Sequence, residues 1–223
     1  NFFKVEYEDA LEFGIPKNKI HVIPMGIDIQ ENKQEKILSK QLQLLFVGRI
    51  ARVRRIELIL QAVSQLRIPF HLTIAGGEEK TSSVTRAGYL GELKQLTKQL
   101  NLENKVSFLG RKTSIELKPI YQSADIFIYP SLYENFGQPL IEAAAHGLPL
   151  ISTPVGVAQD IIIEGETGYQ VSGKPEEIKD RIESLTDINL RNEMGRRIQA
   201  EIKNRFDWDN IMTQYIDLYR SLR

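Results

Sequence analysis

Cysteine is absent from this sequence, which excludes disulfide bonds, thiol nucleophiles and thiolate metal sites. An excess of charge of one sign is also lacking: 29 lysine and arginine residues balance 29 aspartate and glutamate residues, so we expect no general attraction to nucleic acid. No apolar run reaches the length of a transmembrane helix. The chain has neither an initial methionine nor a secretory leader, and we expect it to be a piece of a longer protein.

Hydrophobic residues make up 42% of the 223 residues, which suits one domain with a full core, or one domain and a part. From residue 42 onward, short apolar runs that predict buried strands alternate with amphipathic segments that predict helices. The predicted strands cover residues 44–47, 70–75, 106–109, 126–129, 148–152 and 168–171. The predicted helices cover residues 56–66, 89–100, 115–121, 139–146, 175–185, 190–205 and 207–222. This alternation predicts an α/β fold with a doubly wound, Rossmann-like parallel sheet.

Less regular segments precede this pattern, and a long helix ends it. Residues 5–13 predict a short helix and residues 21–24 a short strand, whereas the polar run 30–41 predicts an exposed linker. In the last helix, Asp207 is the predicted N-cap. An apolar stripe along that helix predicts a face buried in the core, and it consists of Trp208, Ile211, Tyr215, Leu218 and Leu222.

A strand, a polar loop, a helix and a second strand follow one another around Glu134. The first strand ends at Pro130, Pro139 suits the first turn of the helix, and Gly147 suits its end. The loop is therefore expected at the carboxyl edge of the sheet and at a helix N-terminus, where anions such as phosphate are favoured. Glu134 in the loop and Glu142 in the helix could face one ligand. Alternatively, Glu134 is only solvated and Glu142 only complements the helix dipole.

Arginines form a second group of candidate residues at the same predicted edge. Arg49 follows the first regular strand directly, and Arg54 and Arg55 come at the start of the next helix. Cations at a helix N-terminus oppose its dipole, and an anionic ligand would remove that conflict. A guanidinium group suits a diphosphate well because it can donate two parallel hydrogen bonds. The alternative is a cluster of surface arginines without a ligand.

These two groups together resemble a known signature. Glu134 with the following Asn-Phe-Gly, and then Glu142 with the following Ala-Ala-Ala-His-Gly-Leu-Pro, is similar to the pattern of retaining glycosyltransferases of family 4. The resemblance covers nearly the whole chain and implies one half of a GT-B fold. Gly48 and Arg49 also match the family, which usually has lysine and glycine where this chain has Arg54 and Arg55. The charge at the first of these positions is kept, while the second gains a long side chain.

The resemblance implies a donor site for a nucleoside diphosphate sugar. Arg49 and Arg54 would hold the diphosphate, Glu134 would lie near the transferred sugar, and Glu142 would hold the ribose. Arg49, Arg54 and Glu134 are the predicted catalytic residues. The full set of predicted donor-binding residues is Gly48, Arg49, Arg54, Gly110, Arg111, Glu134, Asn135, Phe136, Gly137, Gln138, Pro139, Leu140 and Glu142.

The implied reaction moves a hexose to an acceptor hydroxyl with retention of configuration, in the synthesis of a polysaccharide or glycoconjugate. UDP-glucose is the favoured donor because uridine donors are the commonest in this family. No cofactor and no metal ion are expected, since arginines would neutralise the leaving diphosphate. Two alternatives remain open at this point: a nucleotide-sugar-binding module without catalysis, and a GT-B epimerase that acts on the sugar nucleotide itself.

The resemblance also implies a domain organisation. Residues 1–30 are expected to be a crossover segment from an N-terminal domain that this chain lacks, and residues 31–223 to be the donor-binding domain. The acceptor would bind mainly to that missing domain. The expected location is cytoplasmic, with peripheral contact to the inner membrane through the missing domain.

Overall fold

The computed structural model describes residues 2–29, 40–78 and 88–222. Its centre is a six-stranded sheet in the order β3-β2-β1-β4-β5-β6, and all five strand pairs are parallel. The strands are β1 Leu42–Val47, β2 Phe70–Ala75, β3 Val106–Gly110, β4 Ile126–Tyr129, β5 Leu150–Ser152 and β6 Gly168–Gln170. The predicted doubly wound parallel sheet is therefore confirmed. The predicted linker at 30–41 lies almost entirely outside the described residues.

Helices connect and flank these strands. They are α1 Phe2–Glu12, α2 Ile56–Ser64, α3 Tyr89–Gln99, α4 Ser114–Ser123, α5 Gln138–Ala145, α6 Ala158–Ile161, α7 Pro175–Ser184, α8 Ile188–Phe206 and α9 Trp208–Ser221. The one-turn helix α6 was not predicted, because four residues are too few to display a helical period. Within the described part of the chain, no helix combines the length and the apolarity that crossing a bilayer would require.

The sheet places a crevice between β1 and β4. The chain runs outward from β1 through β2 to β3 and then returns to the other side of β1 at β4. Loops after β1 and β4 consequently leave the sheet in opposite directions, which opens a crevice at their carboxyl ends. The loops after β1 and β2 touch there, since a Cβ on Gly76 would lie only 1.8 Å from the Gly48 carbonyl oxygen. Only glycine fits this approach of two backbones.

The strand predicted at residues 21–24 is not formed. These residues pair with no strand of the sheet. Backbone pairing begins later, where the Ile27 N–H donates to the Phe206 carbonyl oxygen at 2.8 Å and Ile27 forms an isolated bridge with Asp207. The short apolar run at 21–24 was compatible with a strand, but a strand also needs a partner edge.

The last helix begins as predicted but is less buried than predicted. The Asp207 side chain caps α9 by accepting a hydrogen bond from the Asp209 N–H at 2.9 Å. Of the predicted buried stripe, only Ile211 lies in the core, while Trp208 and Leu222 are 39% and 71% exposed. The prediction that the whole stripe is core is wrong, because α8 is the only described helix or strand with more than marginal contact to α9.

Candidate functional site

Arg54 occupies the centre of the site, and its side chain is almost completely buried. It ends a short 3-10 turn, Arg52–Arg54, and only 5% of its surface is exposed. Its Nη1 lies 2.7 Å from Glu134 Oε2 and donates to Ser131 Oγ at 3.0 Å and to the Tyr133 carbonyl oxygen at 2.8 Å. Its Nε has no hydrogen-bond partner among the described residues. The structure thus brings together two predicted catalytic residues, Arg54 and Glu134, as a buried ion pair.

Tyr129 completes this group from the end of β4. Its hydroxyl donates to the same oxygen of Glu134 at 2.5 Å, and the Arg54 guanidinium carbon lies 5.5 Å from the centre of its ring. Burial raises the pKa of Tyr129 well above its usual value, so the hydroxyl remains protonated and remains a donor. The Glu134 carboxylate is therefore held by one cation and one neutral hydroxyl at Oε2, and by the Asn135 backbone N–H, which donates to Oε1 at 3.1 Å.

The contacts of Arg54 also explain how arginine fits a position where lysine is usual in the resembled family. All three acceptors meet at the single nitrogen Nη1 and not at the two ends of the guanidinium fork. A lysine ammonium group, with three donors on one nitrogen, can make the same pattern. The fork geometry that distinguishes arginine from lysine is thus not used in these contacts.

The loop after Glu134 is tightly folded and leads into α5. Gly137, the N-cap of α5, has φ +98°, and a Cβ there would lie 2.8 Å from Leu140 Cδ1. The Phe136 carbonyl oxygen accepts from the Val157 N–H at 2.8 Å. No described side chain caps the first turn of α5. Pro139 has no N–H, and the Leu140 N–H donates to the Gly137 carbonyl oxygen at 2.9 Å, so the N–H groups of Gly137 and Gln138 are the donors at this helix start that suit an anion.

Glu142 lies on the second turn of α5 and is held by Tyr121. The Tyr121 hydroxyl donates to Glu142 Oε2 at 2.8 Å, and Gln138 Nε2 lies 3.4 Å from the other carboxylate oxygen. Burial, followed by the nearby Glu142 charge, raises the pKa of Tyr121, which keeps its hydroxyl a donor. The His146 ring stacks on Tyr121 at a centroid distance of 5.1 Å. Glu142 as a whole is half-buried.

A cavity of about 570 Å³ opens beside these groups, at the carboxyl ends of β1, β2 and β3. Predicted residues Gly48, Arg49 and Arg111 line it, together with Gly76, Gly77, Glu78 and Lys112, among others. Gly110 precedes the cavity with φ +68° and accepts from the Gly76 N–H at 2.9 Å. A Cβ on Gly48 would lie 3.5 Å from the Tyr129 ring, so the cavity and the buried pair of Arg54 and Glu134 adjoin each other.

The predicted residues therefore fall into two adjacent groups. One group is the cationic cavity, and the other is the loop from Glu134 to Leu140 with Glu142 behind it. Sequence reasoning missed Tyr121, Tyr129 and Ser131, which hold the two carboxylates and Arg54. The signal for Tyr129 was present, because it is the last residue of the strand that precedes the Glu134 loop.

Comparison with known proteins is consistent with this geometry. Residues 28–203 match the family described as glycosyl transferases group 1. The chain belongs to this family. It is 34% identical over 226 residues to D-inositol 3-phosphate glycosyltransferase of Corynebacterium urealyticum, a match that covers 92% of this chain and 52% of that one. The chain spans about half the length of the curated relatives it matches.

Solved structures share the fold. Sucrose-phosphate synthase of Thermosynechococcus elongatus superposes with a TM-score of 0.82 at 27% identity, over 98% of this chain and 56% of that one. Anabaena HepE in complex with UDP and glucose superposes with a TM-score of 0.83 at 20% identity, over 98% of this chain and 61% of that one. The Rossmann-like half of a GT-B fold is thereby confirmed. The roles of the individual donor-site residues, the domain boundary at residue 30 and the independence from metal stay predictions.

Proposed function

We propose that this chain is the donor-binding half of a retaining glycosyltransferase that transfers a hexose from a nucleoside diphosphate sugar to an acceptor hydroxyl. The observation that carries the proposal is the arrangement around Arg54, where a buried arginine paired with Glu134 adjoins an uncapped helix start and a cavity lined by Arg49 and Arg111. Cations and backbone donors converge there at the sheet edge where α/β folds bind nucleotides.

In the proposed reaction, the bond between the anomeric carbon and the diphosphate oxygen breaks, and its electron pair stays on the diphosphate. The acceptor hydroxyl oxygen forms the new bond to that carbon on the same face, and its proton passes to the departing diphosphate. The charge that develops there is stabilised by Arg49 from the cavity and by the N–H groups at the start of α5. Arg54 contributes through the positive charge of its guanidinium group, which lies buried beside Glu134. Glu134 orients hydroxyl groups of the transferred sugar, and Glu142 accepts from the ribose hydroxyls on the neighbouring turn.

UDP-glucose is the donor we favour. The complex of HepE with UDP and glucose supports a uridine donor, and so does the frequency of uridine donors in the resembled family. We further propose that the protein needs no metal ion, that it serves polysaccharide or glycoconjugate synthesis, and that it works in the cytoplasm with peripheral contact to the inner membrane.

We expect the isolated chain to bind donor but to transfer slowly. The described site residues account for diphosphate, ribose and one side of the sugar, and none of them is assigned to an acceptor. Alignment of an acceptor hydroxyl supplies on the order of 7–11 kcal/mol of barrier lowering, which a half-site does not provide. The additional chain that the longer relatives have would supply that alignment.

A thermal-shift panel with UDP-glucose, GDP-glucose and ADP-glucose tests the proposal, because the three ligands differ only in the base. A donor at a hundredfold excess over its dissociation constant stabilises the fold by about 2.7 kcal/mol. We expect the largest shift with UDP-glucose, and the same shift in EDTA as in Mg²⁺. Epimerisation of the bound donor would favour the epimerase alternative, and no shift with any of the three would contradict the proposal.

A further inference from the structure

Arg55 has an unusual backbone conformation for its residue type. Its φ and ψ are 49° and 44°, in the left-handed region that glycine adopts freely and that other residues adopt at a cost in free energy. It stands at the N-cap of α2, but its side chain does not cap the helix. An arginine at such a position points to a side-chain contact that offsets the backbone cost.

The side chain of Arg55 reaches across the carboxyl edge of the sheet to two other loops. Its Nε donates to the Pro130 carbonyl oxygen at 2.7 Å, and its Nη2 lies 3.5 Å from the Ser131 carbonyl oxygen. Its guanidinium group covers Gly173, in the loop after β6, so closely that a Cβ there would lie 2.5 Å from Nη2. One side chain therefore connects the turns after β1, β4 and β6.

The turn that Arg55 holds is the one that positions the buried ion pair. Ser131 Oγ accepts from Arg54 Nη1 at 3.0 Å, and the Ser131 carbonyl oxygen accepts from Thr153 Oγ1 at 2.5 Å. Glu134 follows three residues later. Arg54 thus contacts the side-chain oxygen of this turn, and Arg55, the next residue, contacts its backbone carbonyl oxygens.

We propose that Arg55 is a positioning residue, which fixes the Pro130–Ser131 turn against the Gly173 loop and thereby keeps Arg54 and Glu134 in place for the donor. This role rests on the proposed function, because the pair that Arg55 positions is assigned there to donor binding. The clamp itself is a property of the fold and is measurable without any ligand.

Arg55→Gly tests the clamp, because glycine keeps the backbone conformation and removes only the side chain. We expect backbone amides between residues 131 and 137 to exchange hydrogen at least tenfold faster, and UDP-glucose to bind about tenfold more weakly. Arg55→Lys retains a cationic donor and should restore most of both losses. Asn101→Gly is the matched control, since Asn101 also has a left-handed φ of 57° but lies in the turn between α3 and β3. That variant should change neither readout.

A double-mutant cycle with Gly173→Ala tests the packing independently. In the wild type, the added methyl group collides with the Arg55 guanidinium and also strains a backbone with φ +92°. In the Arg55→Gly background only the backbone strain remains, so Gly173→Ala should lower the midpoint of unfolding by less. The inference would be overturned if Gly173→Ala lowered the midpoint of unfolding equally in both backgrounds, or if hydrogen exchange of the amides between residues 131 and 137 were unchanged in Arg55→Gly. If the wild type bound no sugar nucleotide, the proposed function would fail, while exchange and the cycle would still decide whether Arg55 is a clamp.

Discussion

Replacing Glu134 by glutamine should destabilise the fold although it conserves the shape of the side chain. Glu134 Oε2 accepts from both Arg54 Nη1 at 2.7 Å and the Tyr129 hydroxyl at 2.5 Å. The side chains of Arg54 and Glu134 are only 6% and 14% exposed, so water cannot solvate the Arg54 cation once residue 134 has lost its charge. The oxygen of glutamine can still accept both hydrogen bonds, but its amide group then faces the Asn135 N–H, which donates to Glu134 Oε1 at 3.1 Å, and Arg54 becomes a buried cation without a counter-charge.

The magnitude follows from these two bonds. Each loses about 1 kcal/mol when the acceptor loses its charge, which is the difference between charged and neutral hydrogen bonds. Complete removal of one partner from a buried ion pair costs about 3–5 kcal/mol, which sets the upper bound. We therefore expect a loss of about 2–3 kcal/mol in the free energy of unfolding. At about 2–4 °C per kcal/mol for a chain of this size, the midpoint of thermal unfolding should fall by roughly 5–10 °C.

Urea denaturation of Glu134→Gln beside Glu183→Gln is the assay. Lys179 and Glu183 form an ion pair of nearly the same length, 2.9 Å, but their side chains are 24% and 39% exposed. An exposed pair one helical turn apart contributes only about 0.3–0.5 kcal/mol. Burial of the ion pair, and not the distance between its charged atoms, should therefore determine the loss of stability. Equal losses in the free energy of unfolding of the two variants would refute this.

Three further predictions concern the neighbouring residues. Arg54→Lys should lower the free energy of unfolding, measured by urea denaturation, by less than about 1 kcal/mol. One ammonium group can reproduce the three bonds of Nη1, and the substitution removes the unpaired Nε. A loss as large as that of Glu134→Gln would contradict this. Glu142→Gln should weaken UDP and UDP-glucose by the same factor in calorimetry, since both carry the ribose, and a loss confined to UDP-glucose would remove Glu142 from the ribose site. Burial lowers the pKa of His146, so below about pH 6.5 the unfolded chain takes up a proton that the folded chain does not, and stability should fall as pH falls. His146→Asn should flatten that dependence between pH 7.5 and pH 5.5, and an unchanged slope would show that another group causes it.

Much of the sheet was predictable because its strands are short apolar runs with clear ends. Residues 70–75 and 126–129 were predicted with the bounds that β2 and β4 have, since a glycine and a proline follow them directly. Parallel strands buried on both faces carry this signal in their own composition.

The failures concern features that depend on a partner. The stripe of α9 has helical spacing, but spacing does not tell whether another surface covers it, and Trp208 and Leu222 are largely exposed. The run at 21–24 had the composition of a strand but pairs with no strand of the sheet. In both cases the local sequence showed an apolar segment but did not show whether another part of the chain packs against it or pairs with it.

The candidate site divides in the same way. The Glu134 loop and Arg49 were located by their position after strands, which is local information. The burial of Arg54 against Glu134 joins two distant segments of the chain, and the supporting hydroxyl group of Tyr121 comes from a helix that no motif marks. The left-handed conformation at Arg55 could be anticipated only as the usual place of a glycine, and the contacts of its guanidinium group could not.

The central claim is that this chain binds a sugar nucleotide through the cavity and loop described above. Isothermal titration calorimetry of UDP-glucose with the wild type and with Arg49→Ala tests it most directly. Arg49 lines the cavity and is exposed, so Arg49→Ala should lower the unfolding midpoint far less than Glu134→Gln does. We predict saturable binding of one UDP-glucose per chain, weakened in Arg49→Ala by about 1.5–3 kcal/mol, the range for hydrogen bonds to charged groups. Equal affinity of the two proteins, or no binding by the wild type, would contradict the account.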